Sequence, residues 1–233
     1  MSMYGPLDNP EVANLLFEKD ACVCWAGRPG ETFDGSERLQ SCTGGIFWGR
    51  PGEDWPVNDE GTPLIAWLQV VSHDFGTHWV GPYAHLQSLC LYIEPPLGLQ
   101  GEYVAGHDRC GFVVREYERD AVLQPLFPPR RDDVAPSRRL SWERRRDYPH
   151  AGKYWDIMTL EMLAILRKRT DEQDLHYAGI KLGGWPTVIQ SDWYHPPADH
   201  IQMPPTDDFW WGDSGIGHAY TEDGQRRLYF ECY

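Results

Sequence analysis

Apolar and polar positions change their period along the chain, and the changes predict elements. Leu64 to Val71 reads Leu-Ile-Ala-Trp-Leu-Gln-Val-Val, a near-continuous apolar run of strand length, as expected for a strand covered on both faces. Ser88 to Ile93 and Gly111 to Tyr117 are further strand candidates. Between Tyr154 and about Arg169 the spacing is helical instead, with Trp155, Met158, Met162, Ile165 and Leu166 recurring every three or four positions. Arg167, Lys168 and Arg169 then fall in the last turn, where positive charge complements the helix dipole. Asn9-Pro10-Glu11 starts a shorter helix to about Lys19: Asn caps, Pro fits the first helical position and Glu opposes the dipole. Near the end, Gly215–Thr221 and Gln225–Glu231 flank Glu222-Asp223-Gly224, the signature of a tight β-hairpin.

Two segments interrupt these patterns. Thr43 to Pro63 is rich in Gly, Pro, Asp and Asn and reads as an ordered loop. Residues 125–149 read as a Pro- and Arg-rich connector dividing the chain, too polar between Pro125 and Pro136 to add much core. On either side of it the same order of features occurs. Gly44-Gly45, Trp55-Pro56 and an apolar strand carrying Gln69 are followed later by Gly183-Gly184, Trp185-Pro186 and a short strand around Gln202. The expectation is one α+β domain of internally duplicated antiparallel β units with a few packed helices, its halves at about 20–124 and 150–233. The helix from Tyr154 should pack on the second half.

The run His176-Tyr177-Ala178-Gly179-Ile180-Lys181-Leu182-Gly183-Gly184-Trp185-Pro186, with Ile189-Gln190, Gln202 and Trp211-Gly212-Asp213-Ser214-Gly215 after it, resembles the C-terminal signature of the YwqG-like family of bacterial proteins. Gly44-Gly45, Trp55-Pro56, Gly61-Thr62-Pro63-Leu64 and Gln69 match that family's first half more loosely, and the whole resemblance runs from about Cys42 to the C-terminus. The aromatic insert between Ser72 and Gln87 and the Arg-rich connector depart from the pattern. The resemblance implies a duplicated α+β fold without established chemistry. It also implies an association with immunity proteins of bacterial toxin systems, including toxins delivered by type VI secretion.

Charge sharpens the choice of partner. The chain of 233 residues carries a formal net charge of -14, so phosphate backbones are unfavourable partners and a basic protein is the natural one. Seven arginines against three carboxylates between Arg130 and Arg146 make a local basic exception. No apolar run approaches a membrane span, and the N-terminus does not read as a secretory signal, which points to the cytoplasm. The six cysteines lack a regular spacing and read as reduced, mostly buried thiols.

Candidate chemistry does not displace binding. Gly212-Asp213-Ser214-Gly215 repeats the residues around a trypsin-like nucleophile, but Ile216 follows and no histidine stands in the required Ala-Ala-His-Cys context. A Gly-x-Ser-x-Gly elbow also needs glycine at 216, so a tight turn into the hairpin is the better reading. Metal binding through Cys22, Cys24 and Cys42, or through His73, Asp74, His78 and His85, lacks the paired spacing of zinc sites. No phosphate loop or dinucleotide fingerprint is present, and no cofactor is expected.

What remains is aromatic rings beside carboxylates in Pro-rich loops. The expected partner-binding residues are Asp192, Trp193, Tyr194, Asp207, Asp208, Trp210, His73, Asp74 and Trp79, since Trp and Tyr anchor interfaces and carboxylates steer a basic partner. The same rings also suit closing a core beneath the loops. The sequence therefore points to a non-enzymatic immunity protein that occludes a cognate toxin, with no nucleic acid or membrane as partner. The alternative is a small-ligand binder or hydrolase using a cleft between duplicated halves, with Asp213, His176 or the loop histidines as polar groups.

Overall fold

Mostly antiparallel β-sheet with two α-helices makes up the computed structural model, which describes residues 6–78, 81–94, 111–129, 136–189, 196–206, 211 and 215–231. The helices are α1 (Pro10–Lys19) and α2 (Leu160–Glu172). The strands are β1 (Cys22–Phe33), β2 (Cys42–Thr43), β3 (Phe47–Gly49), β4 (Ile65–Val71), β5 (Leu86–Ile93), β6 (Phe112–Glu118), β7 (Gln124–Leu126), β8 (Ser137–Asp147), β9 (Ile180–Gly183), β10 (Ile201–Met203), β11 (Ile216–Glu222) and β12 (Gln225–Glu231). No helix among the described residues is long and apolar enough to cross a membrane.

The chain folds into two compact units, one of residues 1–26 with 143–233 and the other of residues 27–142. The unit boundary passes through β1 and β8, so residues 20–26 lie with the chain's second half and residues 137–142 with its first. In the first unit the strands run in the order β12-β11-β10-β9-β1-β8, and in the second β1-β8-β2-β4-β5-β6.

The first unit builds its core where the helices meet. Asn9 caps α1, its Oδ1 accepting from the Glu11 and Val12 amides at 2.9 and 3.3 Å. Ala13 and Phe17 then face Tyr148, Tyr154, Met158, Met162, Leu163 and Leu166. Phe17 is fully buried and stacks on Tyr148 at 4.9 Å; a buried Phe of this kind contributes about 1.5–3 kcal/mol. The hairpin is present, with β11 and β12 in register from Ile216↔Glu231 to Glu222↔Gln225. Asp223 (φ 51) and Gly224 (φ 74) form its turn, both in the left-handed region.

The second unit packs Phe47, Trp55, Leu64, Tyr92, Tyr117 and Leu126 with the thiols of Cys42 and Cys90. Its apolar strand β4 is buried at six of seven positions, from Ala66 to Val71, and pairs with β5, which pairs in turn with β6. The four cysteines among the described residues are free thiols.

Three expectations need correction. The helix expected from Tyr154 is broken: a 3-10 turn covers Ala151–Tyr154 and α2 begins only at Leu160. The interruption arises because Leu7 pairs with this stretch, its amide donating to the Ile157 carbonyl and its carbonyl accepting from the Thr159 amide. Thr159 then caps α2 by accepting from the Met162 amide at 3.3 Å. Of the expected stripe, Met158, Met162 and Leu166 are buried, whereas Trp155 and Ile165 are exposed.

The connector at 125–149 contains the eleven-residue strand β8. Two of its arginines cover ring faces, Arg145 over Tyr177 and Arg146 over Tyr148, both at 5.2 Å, and Arg145 is also paired with Asp174. The loop from Thr43 to Pro63 likewise holds β3, paired with β7.

Candidate functional site

Each unit contains a buried glutamine that ties down the loop after a Gly-Gly pair. In the second unit Gln69 of β4 sits opposite Cys42 of β2. Its Oε1 accepts from the Trp48 amide at 2.7 Å and its Nε2 donates to the Gln40 carbonyl at 2.9 Å. In the first unit Gln202 of β10 sits opposite Lys181 of β9. Its Oε1 accepts from the Thr187 amide at 2.7 Å and its Nε2 donates to the Gly179 carbonyl at 3.0 Å.

The spacing is the same in both. Measured from the glycines, the acceptor carbonyl lies four residues before the first and the donor amide three residues after the second. The glycines themselves match: Gly44 and Gly45 have φ of 65° and 80°, Gly183 and Gly184 of 66° and 78°. A Cβ on Gly45 would collide with Ser137, and one on Gly184 with Asp147 and Cys24. Next in the chain, the Ile46 amide donates to Ser137 Oγ and the Trp185 amide to Asp147 Oδ2.

The first unit also contains an ionisable centre. Lys181 and Asp147 are fully buried and paired at 2.9 Å. Lys181 Nζ also donates to the Tyr177 carbonyl at 2.6 Å, and Asp147 Oδ1 accepts from the Tyr177 amide at 2.9 Å. Burial holds the Lys181 pKa below its ordinary value, while Asp147 pushes it back up. Burial likewise raises the thiols of Cys22 to about 11 and Cys24 to about 12, so neither supplies thiolate at neutral pH.

Three histidines lie near Lys181, His200 and His218 fully buried and His176 half-buried. His200 Nε2 and His218 Nδ1 are 3.0 Å apart, with the rings stacked at 5.3 Å. His176 bonds the Tyr148 carbonyl through Nδ1 at 2.7 Å and the Thr187 hydroxyl through Nε2 at 2.9 Å. Burial first, and then the charge of Lys181, lowers His176 to about 4. Burial also lowers His218 to about 4 and His200 well below its usual value, the neighbouring His218 adding to the latter. These rings are neutral at physiological pH and pinned by structural bonds, His176 at both nitrogens.

The residues expected to bind a partner fall mostly elsewhere. Trp79, Asp192, Trp193, Tyr194, Asp207, Asp208 and Trp210 lie outside the described residues, as does the Gly212-Asp213-Ser214 part of the turn motif. His73 and Asp74 are described and adjacent, with Nε2 and Oδ1 3.3 Å apart. Asp74 has a structural task, accepting the Ser41 amide at 2.7 Å. His73 lines an open depression of about 270 Å³ in the second unit with Ser72, Gly76, Gln87 and Arg119. Among the described residues no group of three or more His, Cys, Asp or Glu is placed to hold a metal ion.

Sequence reasoning missed the centre of Asp147, Lys181, His200 and His218. One signal was available: Lys181 is the single charge in the apolar strand Ile180–Gly183, and a lysine there needs a buried carboxylate. It also missed a row of exposed apolar side chains at Trp155, Ile157 and Leu160. A scan against protein-family models gives no match, and no curated protein matches the chain.

Proposed function

We propose that this protein is a bacterial cytoplasmic immunity protein that neutralises a cognate toxin, such as a type VI secretion effector, by binding it stoichiometrically and covering its working surface. One observation carries the reading. Lys181, His200 and His218 are buried in the first unit, Lys181 held by Asp147 and the Tyr177 carbonyl and the two histidines by each other, while the half-buried His176 is bonded at both ring nitrogens. What the protein offers outward is an acidic surface with exposed apolar side chains. Such a surface suits capture of a basic protein, with long-range attraction speeding encounter. The resemblance to YwqG-like proteins supports the toxin as that partner.

The two units derive, in the same reading, from an internal duplication. The equal spacing of the Gln69 and Gln202 clamps about their Gly-Gly pairs supports this, as does the shared outward order of strands. From β1 the first unit runs β9-β10-β11-β12, and from β8 the second runs β2-β4-β5-β6.

Co-expression with the toxin encoded beside its gene tests the function. Growth should be restored and the toxin's activity abolished at equimolar protein; unchanged killing despite soluble expression of both would refute it. A second reading, a binder of a small polar ligand, rests on the depression at Ser72, His73 and Arg119. There Gln87 Oε1 is buried without a hydrogen-bond partner among the described residues.

A further inference from the structure

Trp155, Ile157 and Leu160 are 65%, 50% and 70% exposed, three large apolar side chains within six positions. Ordinary surfaces scatter such residues singly, and their clustering marks contact surfaces. The fold holds this row in place. Leu7 bridges Met158 in parallel, with Leu7 partly buried and Met158 buried. Residues 155–157 form turns that end at this bridge, and Pro6, Asp8 and Ile157 on either side of it are exposed. Leu160 follows at the first position of the capped helix α2.

The unpaired charges next to this row in sequence are acidic, since the flanking cations Lys153, Arg167 and Lys168 are each paired with a carboxylate, Asp20, Asp171 and Glu172. Residues 6–16 and 155–166 contain Asp8, Glu11, Asp156 and Glu161 and no Lys, Arg or His. All four carboxylates are exposed, and none forms an ion pair among the described residues. This composition discriminates between occupants. A second copy placed symmetrically on the patch would set carboxylate against carboxylate, and an anionic lipid surface would be repelled. A protein presenting an apolar recess rimmed by Lys and Arg meets both the rings and the charges.

We infer that Trp155, Ile157 and Leu160, with the neighbouring Asp8, Asp156 and Glu161, form the surface that docks the basic protein partner, Trp155 being its anchor. The inference rests on the immunity reading and adds the place of contact. It differs from the loop residues expected from sequence, and its backbone is already tied by Leu7 and by the Thr159 cap, so little backbone rigidity has to be gained on binding.

The test measures binding of the purified toxin encoded beside the gene to the full chain and to three variants, by calorimetry and stopped-flow. Trp155→Ala should weaken affinity at least ~30-fold. Leu160→Ser, a second variant, should weaken it ~10-fold or more. Asp156→Lys with Glu161→Lys should slow association roughly 10-fold at low salt and much less at 0.5 M (about a Debye length of 4 Å). Because these side chains are exposed, melting temperatures should stay within about 2 °C of the parent. Toxin bound by every variant within twofold of the parent overturns the docking surface and leaves the immunity reading standing. A parent dimer lost in Trp155→Ala on analytical ultracentrifugation also overturns it, assigning the patch to self-association. A parent that does not bind the toxin removes the immunity reading and this inference together.

Discussion

Acidification should loosen the first unit and spare the second. His176 and His218 sit near pKa 4 in the folded chain, against 6.5 when unfolded, and His200 is lowered too. The folded pKa is the lower one, so the unfolded state takes up protons first. Stability is full above about pH 6.5 and is lost as pH falls toward 4. At pH 5 each unfolded histidine gains about 2 kcal/mol from protonation while its folded counterpart gains almost nothing. His176 and His218 together therefore cost roughly 4 kcal/mol between pH 8 and pH 5, with His200 adding in the same direction. That is a large part of the 5–15 kcal/mol typical of a domain.

Among the described residues of the second unit the perturbed groups are Cys42, Cys90, Tyr92 and Tyr117, all raised and protonated throughout this range. Hydrogen exchange separates the two. Protection factors, corrected for intrinsic rates, should fall about a thousandfold in Ile201–Met203 and Ile216–Glu222 between pH 8 and 5. Those in Ile65–Val71 and Leu86–Ile93 should change little. His176→Gln should remove about 2 kcal/mol of the dependence. Equal loss in both units, or protection in the first unit constant to within tenfold, would refute the reasoning.

Further outcomes follow from the same interior. Gly45→Ala and Gly184→Ala should each lose at least ~3 kcal/mol in urea unfolding, because a Cβ meets Ser137 or Asp147 well inside contact distance. Gly61→Ala, with a similar φ of 81° but open space around it, should lose only about 1–2 kcal/mol. Gln69→Leu and Gln202→Leu should each cost about 2–4 kcal/mol by leaving a buried amide and carbonyl unpaired, and similar costs would agree with the shared geometry. Lys181→Met should cost about 3–5 kcal/mol by stranding Asp147, whereas Lys181→Met with Asp147→Asn should recover part of the loss in a double-mutant cycle.

Elements with one strong periodic signal were legible in the sequence. The apolar run of β4 and the Asp-Gly hairpin follow from local chemistry, and the repeated Gly-Gly and Gln positions mark the two segments that share a clamp, although the hydrogen bonds of Gln69 and Gln202 are not legible in the sequence. The elements misread are those whose structure depends on distant residues. Helix α2 starts late because Leu7, far away in sequence, occupies the backbone at Ile157 and Thr159. Strand β8 hides in an arginine-rich stretch because ring faces at Tyr148 and Tyr177 cover its side chains. Lys181, His200 and His218 read as ordinary polar residues until strands from both ends of the chain close over them. Trp155 looked like packing because helical spacing was extended through a segment that is not helical.

Titrating the toxin's activity with this protein, at concentrations well above the dissociation constant, tests the binding account most directly. The account predicts a linear loss of activity ending at one protein per toxin. Loss of activity at well below one equivalent, increasing with time, would mean turnover and contradict it.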